Sequence, residues 1–243
     1  MQPNYVSGNR LLDALSGDDP TGLRNDLEMI TLPSRHWLAP YAGPRHHVDF
    51  PIDAVISIVA TLRNGDAVEV GTIGCEGFIE TDAALEADSA RRGSYCQVSG
   101  DIARMTLRRF RERMDENTAF ARLMRRSVTA TLFTAQQFAA CNAKHDVEER
   151  CARWLLMTRD RVGRDSFPLT HDSLGLLLGV RRASVSVATQ SLQAYGAITC
   201  SRGMVTVVDA AKLRDAACEC YADCMEAFEQ SLAEPVFALP EFA

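Results

Sequence analysis

The stretch from Leu169 to Ile198, LTHDSLGLLLGVRRASVSVATQSLQAYGAI, decides the fold of this chain. Thr170 can cap a first helix, and Gly179 can adopt the left-handed conformation that ends it. A second helix is predicted from about Arg182 to Tyr195. The faces predicted to be buried are Leu174, Leu177 and Leu178 in the first helix and Val185, Ala188 and Leu192 in the second. Two short helices joined by a tight, glycine-containing turn form a helix-turn-helix unit.

A β-hairpin is predicted directly after this unit. The runs 197–200 and 204–208 flank the turn Ser201-Arg202-Gly203, which makes them a wing with Arg202 at its tip. The outer face of the second helix is predicted to be polar: Arg182, Ser186, Thr189, Gln190 and Gln193. Such side chains suit the major groove of DNA, because Arg can bond guanine and Gln can bond adenine. The alternative is an ordinary helix pair with a polar outer face.

Upstream, residues 46–110 have the pattern of short strands separated by turns. The runs 54–62 and 67–73 flank Asn64-Gly65, and this dipeptide is typical of a tight hairpin turn. Further strands are predicted at 94–98 and 102–107. Several short antiparallel strands over this length indicate a small β-barrel or roll.

A long helix is predicted from about residue 116 to 143, where neither Gly nor Pro occurs. Its apolar or small residues recur at steps of four and three: Phe120, Met124, Val128, Thr131, Ala135 and Phe138. We interpret this stripe as a dimerisation face. The alternative is a helix that lies on its own β domain.

The next helix is predicted to begin after Asp146 as N-cap and to end at Gly163, which makes His145-Asp146 a hinge. The chain then divides into a β-roll sensor domain (1–115), a dimerisation helix (116–145), a winged helix-turn-helix domain (146–208) and an acidic C-terminal helix and tail (209–243). The predicted fold class is α+β, with an antiparallel, jelly-roll-like β-roll at the N-terminus.

Composition agrees with a globular chain of 243 residues, 47% of them hydrophobic and 24% charged. Its net charge of −6 argues at first against a nucleic-acid partner. The whole deficit, however, lies from residue 209 onward, and residues 173–208 carry three arginines and no acid. No export signal or membrane segment is recognisable, so we expect a cytoplasmic protein.

The order of these parts resembles the Crp/Fnr family of bacterial transcription regulators over about residues 10–220. The segments that carry the resemblance are Phe50–Asp53, Val68–Gly77, Cys141–Arg150, Ala152–Leu156 and Gly179–Arg182. The resemblance implies a β-roll that senses a signal, a long helix that forms a homodimer and a winged helix that binds a palindromic DNA site. It also implies RNA polymerase as a further partner.

Site residues follow from the pattern and the resemblance together. We predict base contacts by Arg182, Ser186 and Gln190, and DNA backbone contacts by Thr170, His171, Arg181, Ser184 and Arg202. The candidate effector pocket is Gly74, Glu76, Arg91, Arg92 and Ser94. The alternative is that Arg91 and Arg92 are simply solvated charges of a surface loop.

Two departures from the family limit the cofactors. Members that bind cyclic nucleotides have a Gly-Glu pair and an Arg-Ser pair, but here Cys75 interrupts the first and Gly93 the second. We therefore do not expect cAMP or cGMP. The oxygen-sensing branch uses N-terminal cysteines for an iron-sulfur cluster, and the first cysteine here is Cys75. We do not expect that cluster either, and the signal stays unidentified.

The C-terminal cysteines raise the question of a metal. If 210–232 is one straight helix, Cys220 and Cys224 share a face but Cys218 points elsewhere, so three ligands would not converge. We predict no metal site and keep Cys220 and Cys224 as weak candidates, with a redox-sensitive pair as an intermediate interpretation. No catalytic motif is present, so we predict no enzyme activity. The alternatives to a signal-sensing regulator are a ligand-independent DNA-binding dimer and a metal- or thiol-dependent protein.

Overall fold

The computed structural model describes residues 7–15, 20–40, 43–63, 67–87 and 92–233. It begins with two short helices and seven strands: α1 (Arg10–Leu15), α2 (Pro20–Asn25), β1 (Glu28–Leu32), β2 (Trp37–Ala39), β3 (His47–Pro51), β4 (Val55–Thr61), β5 (Ala67–Ile73), β6 (Gly93–Val98) and β7 (Gly100–Thr106). The antiparallel pair β4–β5 confirms the predicted hairpin. Asn64 and Gly65, to which we assigned its turn, lie outside the described residues.

The strands form two antiparallel sheets, in the orders β1-β7-β3 and β2-β6-β4-β5. Alternate side chains point between the sheets, because successive residues of a strand face opposite sides. Four phenylalanine rings extend this core from the strands to the helices. The ring centroids are 5.8 Å apart for Phe50 and Phe78, 5.7 Å for Phe78 and Phe110, and 5.4 Å for Phe110 and Phe120. The last two belong to helices, so the β-roll buries its apolar surface against helical segments.

The strands are followed by two helices, α3 (Leu107–Glu116) and α4 (Thr118–Lys144). For this region we predicted the end of a strand and a single long helix. Thr106 accepts a hydrogen bond from Arg109 N and caps α3, and Asn117 accepts one from Phe120 N and caps α4. The predicted helix therefore exists, but it starts at Thr118 after a break. The break follows from side-chain capping, which competes locally with a continuous helix.

Helix α5 (Val147–Val162) confirms the predicted start and end. The carboxylate of Asp146 accepts from Glu149 N, and that of Glu149 accepts from Asp146 N, which together form a capping box. Gly163 ends the helix at a φ of +64°. Only His145 and Asp146 separate α4 from α5. The division into domains at residues 115, 145 and 208 stays a prediction.

The C-terminal part contains the predicted winged unit: β8 (Ser166–Pro168), α6 (His171–Leu178), α7 (Arg182–Ala194), β9 (Ile198–Ser201) and β10 (Met204–Val207). β8 was missed by the sequence analysis, because three residues ending in proline give no strand signal. It extends the wing to three strands in the order β8-β10-β9. Val55 and Val98 of the β-roll contribute to the core of this unit, so the two packed units share apolar surface.

The predicted single helix over 210–232 is wrong. The chain forms α8 (Ala210–Asp215) and α9 (Cys220–Leu232), with residues 216–219 between them. The reason is packing: Leu213 is buried in the core of the winged unit, whereas α9 lies along α4, where Arg126 Nε donates to Ser231 O at 2.9 Å. One straight helix could not reach both places. None of the described helices is long and apolar enough to cross a membrane.

Candidate functional site

The turn between α6 and α7 fixes the angle at which the two helices cross. Gly179 has a φ of +64°, a conformation that other residues adopt only at a cost. Gly175, one turn earlier, lies so close that a Cβ atom there would be 3.0 Å from Val180 O. The two helices also pack against each other through the apolar side chains that we predicted to be buried in both of them. The helix-turn-helix is therefore a rigid support for the outer face of α7.

The outer face of α7 is narrower than predicted. Arg182 and Gln190 are exposed, whereas Thr189 is buried and its hydroxyl bonds Val185 O within the helix. Gln193 is also occupied, because its Oε1 accepts from Cys200 N of the wing at 2.9 Å. Our placement of these two polar residues on the free face is thus corrected.

Val187 is the residue that the sequence analysis missed on this face, and its side chain is 67% exposed. A large apolar residue left in water on an otherwise polar helix face is a recognisable signal. Val187 lies one turn before Gln190, and an apolar side chain in the major groove can contact a thymine methyl group.

His171 and Ser186 hold α6 and α7 together. His171 Nδ1 lies 3.0 Å from Ser186 Oγ, and His171 Nε2 lies 3.3 Å from Thr189 Oγ1. Ser186 Oγ also lies 3.2 Å from Arg182 O, to which it donates. Both ring nitrogens and the serine hydroxyl therefore have partners inside the protein. These contacts contradict the idea that His171 is free to bind the DNA backbone, and they make Ser186 a weaker candidate for a base contact than Gln190.

The wing tip lies beside the start of α6. Arg202 and Gly203 form the turn with φ angles of +50° and +78°, and both are exposed. Leu169 N donates to Gly203 O at 2.8 Å, which ties the tip to Thr170, the N-cap of α6. Arg181 is exposed and Ser184 is half-buried at the start of α7. The structure thus brings Thr170, Arg181 and Arg202 to the surface around the exposed edge of α7.

The charge of this surface is lower than the count over residues 173–208 indicates. Asp172, just outside that range, lies with its carboxylate 3.5 Å from Arg182 Nη1. Both side chains are about 70% exposed, at 69% and 71%, so water and salt screen the pair. A phosphate or a base can therefore replace Asp172 as the partner of Arg182.

Gly74 and Glu76, which we placed in the effector pocket, lie instead between the β-roll and α5. The Glu76 carboxylate is 2.8 Å from Arg161 Nη2, and both side chains are only 5% exposed. Arg161 Nη2 also donates to Thr72 O at 3.0 Å. A Cβ at Gly74 would lie 2.4 Å from Arg161 Cγ, so glycine leaves the space that the arginine stem occupies. The prediction that Gly74 and Glu76 line an effector pocket is therefore wrong. The sequence could not show this, because their partner Arg161 belongs to α5, far along the chain.

A second polar contact crosses the same interface. Glu69 of β5 accepts from Ser57 Oγ at 2.6 Å and from Trp154 Nε1 of α5 at 3.4 Å. Burial of this carboxyl raises the pKa of Glu69 from its ordinary 4.5 to about 7, against the opposing effect of both hydrogen bonds. The β-roll and α5 are therefore joined by a group that titrates near neutral pH.

The other effector residues do line a cavity of about 270 Å³ between the β-roll and α4. Arg92 and Ser94 contribute to it, whereas Arg91 lies outside the described residues. Both Arg92 Nη2 contacts with Asp82 are 2.6 Å, and Arg45 Nε lies 3.0 Å from Glu80. Carboxylates that also line the cavity therefore neutralise both of these arginines. The buried Ser94 Oγ, in contrast, has no hydrogen-bond partner among the described residues.

The stripe that we assigned to dimerisation mostly faces the chain itself. Phe120 and Met124 are buried in the β-roll core, and Thr131 and Ala135 line the cavity. Val128 packs against the same core, and Phe138 lies under the guanidinium of Arg153 at 3.9 Å. The alternative of a helix on its own β domain is therefore correct for this face.

A neighbouring face of α4, about 100° round the helix from this stripe, is exposed at steps of four and three. Its members are Arg125, Thr129, Leu132, Gln136, Ala139 and Ala143. Leu132 is 57% and its neighbour Phe133 39% exposed. We call these six residues, with Phe133, the outer α4 face.

The cysteines are arranged differently from our prediction. Cys224 stands apart, but Cys220 lies in a cluster with Cys141, His145 and Cys218, whose ligand atoms are all within 4.8 Å of one another. The hydrogen bond with Cys218 lowers the pKa of the Cys141 thiol, and the charge of Arg153 acts in the same direction. The prediction that Cys218 points away from Cys220 is wrong, since it assumed one unbroken helix, whereas Cys224 does not join them.

Comparison with known proteins gives two kinds of match. Residues 149–216 match the family model of the Crp-like helix-turn-helix domain. FixK2 from Bradyrhizobium japonicum has a TM-score of 0.65 at 13% identity, covering 79% of this chain and 98% of that one. A CRP-family transcriptional regulator from Thermus thermophilus has a TM-score of 0.62 at 16% identity, covering 77% and 96%. The c-di-GMP responsive regulator CLP from Xanthomonas campestris gives 0.59 at 16% identity, covering 76% and 95%. No curated protein matches the chain in sequence.

Proposed function

We propose that this chain is a transcription regulator of the Crp/Fnr type that binds a palindromic DNA site as a homodimer and responds to a signal at its β-roll. The match of residues 149–216 to the Crp-like helix-turn-helix domain and the similarity in fold to FixK2 support this proposal. The observation that supports the DNA-binding surface is the exposed edge of α7 beside the wing tip. Arg182, Val187 and Gln190 supply a cation, an apolar side chain and an amide along one helix edge. Arg202 and Thr170 flank that edge where phosphates would lie.

We propose that Arg182 and Gln190 read bases, while Arg181, Ser184, Arg202 and Thr170 contact the DNA backbone. A binding-site selection experiment followed by a mobility-shift titration tests this assignment. Arg182→Ala should relax the preference at one base pair by about 1–3 kcal/mol. Arg202→Ala should weaken binding to all sequences and reduce the salt slope by about one.

The matched control is Arg108→Ala, which removes the same charge from an exposed arginine of α3. We expect it to leave the sequence preference unchanged. If Arg182→Ala and Arg108→Ala give the same profile, Arg182 is not a base reader. If the unaltered chain shows no sequence preference in salt-dependent binding, the regulator proposal itself fails.

The homodimer is proposed to form through the outer α4 face. Its spacing of four and three residues is that of a two-helix seam, and its exposed Leu132 and Phe133 are the kind of apolar side chains that such a seam buries. Two recognition helices carried by a symmetric dimer would then enter successive major grooves about 34 Å apart. Leu132→Glu should shift sedimentation from dimer to monomer, whereas Leu85→Glu, which alters an equally exposed leucine of the β-roll, should not.

The effector is proposed to occupy the cavity between the β-roll and α4. Since Asp82 and Glu80 already neutralise Arg92 and Arg45, the cavity suits an uncharged ligand that hydrogen-bonds Ser94 Oγ better than a cyclic phosphate. We expect cAMP and cGMP to leave the melting temperature unchanged, because a ligand that prefers the folded chain must stabilise it. A clear rise with either nucleotide would contradict this choice. If no ligand binds and the chain alone binds its DNA site, a ligand-independent dimer is the better description.

A further inference from the structure

Four potential metal ligands meet where α4 ends and α9 begins. Cys141 Sγ lies 3.5 Å from Cys218 Sγ, and Cys220 Sγ lies 3.5 Å from His145 Nδ1. A tetrahedral zinc ion with bonds of about 2.3 Å to sulfur and about 2.0 Å to nitrogen places two sulfurs about 3.8 Å apart, and a sulfur and a nitrogen about 3.5 Å apart. The observed separations lie within about 0.3 Å of these values. All four ligand atoms lie within 4.8 Å of one another, so small side-chain shifts would bring the remaining pairs to the distances that such an ion requires.

Two separate pieces of chain bring these atoms together. Cys141 and His145 lie one helical turn apart at the end of α4, so they share a face. Cys218 lies in the break between α8 and α9, and Cys220 is the first residue of α9. The three cysteines are buried and form an apolar cluster of their own. The helix break is what turns Cys218 toward α4.

The surroundings orient the ligand atoms. His145 Nε2 lies 3.2 Å from the carboxylate of Glu219, which leaves Nδ1 to face the three sulfurs. Gln137 Nε2 lies 3.3 Å from Cys220 Sγ, to which it can donate. Histidines that bind metals typically donate their other ring N–H to a carboxylate, which fixes the ring and its tautomer.

A buried cation balances the charge that such a site would carry. Three thiolates, a neutral imidazole and Zn²⁺ have a net charge of −1. Arg153 is buried on the neighbouring helix α5, and none of the described carboxylates lies within ion-pair distance of it. Its charge acts on Cys141 and, without direct contact, on the carboxyl of Glu69. A buried guanidinium without an acidic partner is costly, and an anionic metal centre nearby would offset that cost.

We propose that Cys141, His145, Cys218 and Cys220 bind one Zn²⁺ ion in a tetrahedral Cys₃His site. Binding displaces the protons of the three thiols and leaves the imidazole neutral. A site of three thiolates and one imidazole with no open position is typical of structural zinc. The ion would join α9 to the end of α4 and, through its ligand His145, would fix the predicted His145-Asp146 hinge from which α5 starts.

The test is the metal content of the full-length chain after purification under reducing conditions. We expect one zinc per chain and, after replacement by Co²⁺, the visible absorption of tetrahedral cobalt with thiolate ligands. Cys218→Ser should abolish stoichiometric binding. The control Cys224→Ser alters another buried cysteine of α9, one turn beyond Cys220, and should retain the ion. Glu219→Gln should weaken zinc binding roughly 10- to 100-fold, as loss of an orienting partner does elsewhere.

If the single variants fail to fold, Co²⁺ titration of the metal-stripped natural chain against a competing chelator still decides the matter. Absence of a saturable one-to-one cobalt spectrum would overturn the proposal. So would a chain isolated with Cys141 and Cys218 joined as a disulfide even under reducing conditions, because that bond would consume two of the ligands. These outcomes do not depend on DNA binding, so the zinc site can fail or hold independently of the regulator function.

Discussion

Arg161 and Glu76 form a buried ion pair of 2.8 Å that joins α5, the first helix of the C-terminal part, to the β-roll. The pair is extended by Thr72, whose carbonyl oxygen accepts from the same guanidinium. Glu76 lies in the segment that resembles a nucleotide-binding cassette, yet its carboxylate is occupied by this contact between two parts of the protein. The acidic residue of this segment therefore holds α5, and with it the C-terminal part, against the β-roll.

Removing either partner of this pair should destabilise the chain strongly. Arg161→Met leaves the Glu76 carboxylate buried without a partner, so we expect a loss of about 3–5 kcal/mol in the free energy of unfolding. Urea denaturation measures it. Arg92→Met is the matched control: its pair with Asp82 is partly exposed and should contribute about 1 kcal/mol or less. Equal losses in the two variants would show that the Arg161 pair is no better than a surface contact.

The stability of the protein should fall as the pH rises toward neutrality, and Glu69 should be responsible. Since the pKa of Glu69 is raised from 4.5 to about 7, the folded chain binds more protons than the unfolded chain between these values. The contribution is complete below about pH 4.5 and is lost as the pH rises through about 7. Glu69→Gln, which mimics the protonated carboxyl, should be more stable than the natural chain at about pH 8.

Urea midpoints measured from about pH 5 to about pH 8 test this dependence. Glu112→Gln, a change at a half-buried residue of α3 whose arginine partners are partly exposed, serves as the control and should show the same pH dependence as the natural chain. If Glu69→Gln retains the full pH dependence, another group is responsible.

Neutralising Asp172 should strengthen DNA binding. Its carboxylate lies 3.5 Å from Arg182 Nη1 and adds a negative charge to the surface that we propose to face DNA. Because both side chains are well exposed, the effect should be modest, about threefold to tenfold in affinity at low salt, and it should shrink as salt is added. Mobility-shift titrations of Asp172→Asn at two salt concentrations measure it. An affinity equal to that of the natural chain at low salt would place Asp172 away from the DNA.

Replacing either Gly175 or Gly179 of the helix-turn-helix by alanine should destabilise the chain. In Gly179→Ala the new methyl group has no atom within 4 Å, so the cost comes only from the φ of +64°. We expect the free energy of unfolding to fall by about 1 kcal/mol. Gly175→Ala places its methyl group 3.0 Å from Val180 O and should cost more, since backbone must move. Thermal unfolding of the two variants ranks them. The reverse order would indicate that the turn relaxes easily.

The sequence predicts best what is decided locally. Thr170, Asp146, Gly163 and Gly179 act within one helical turn of themselves, so the helix ends that they determine are correct. The stripe on α4 also exists, but periodicity shows only that a face is covered and not by what. Phe120 and Met124 contact the β-roll, and no local signal distinguishes that from a partner helix.

Contacts between distant parts of the chain account for the errors. Arg161 reaches Glu76 across 85 positions, and Cys141 meets Cys218 across 77. The break between α8 and α9 occurs among Ala, Cys and Glu, residues that local propensity would leave helical. It forms because Leu213 and Phe228 are buried in different places.

As the proposed dimer surface, the outer α4 face also has a genetic consequence. It lies far along the chain from Arg182, so a substitution that destroys base reading leaves the pairing surface intact. Such a defective chain would still combine with normal chains and inactivate the mixed pairs. When both are made in equal amounts, only about a quarter of random pairs would carry two working recognition helices. Loss-of-function alleles in α7 should therefore be dominant over the normal allele, whereas Leu132→Glu added to the same chain should make them recessive.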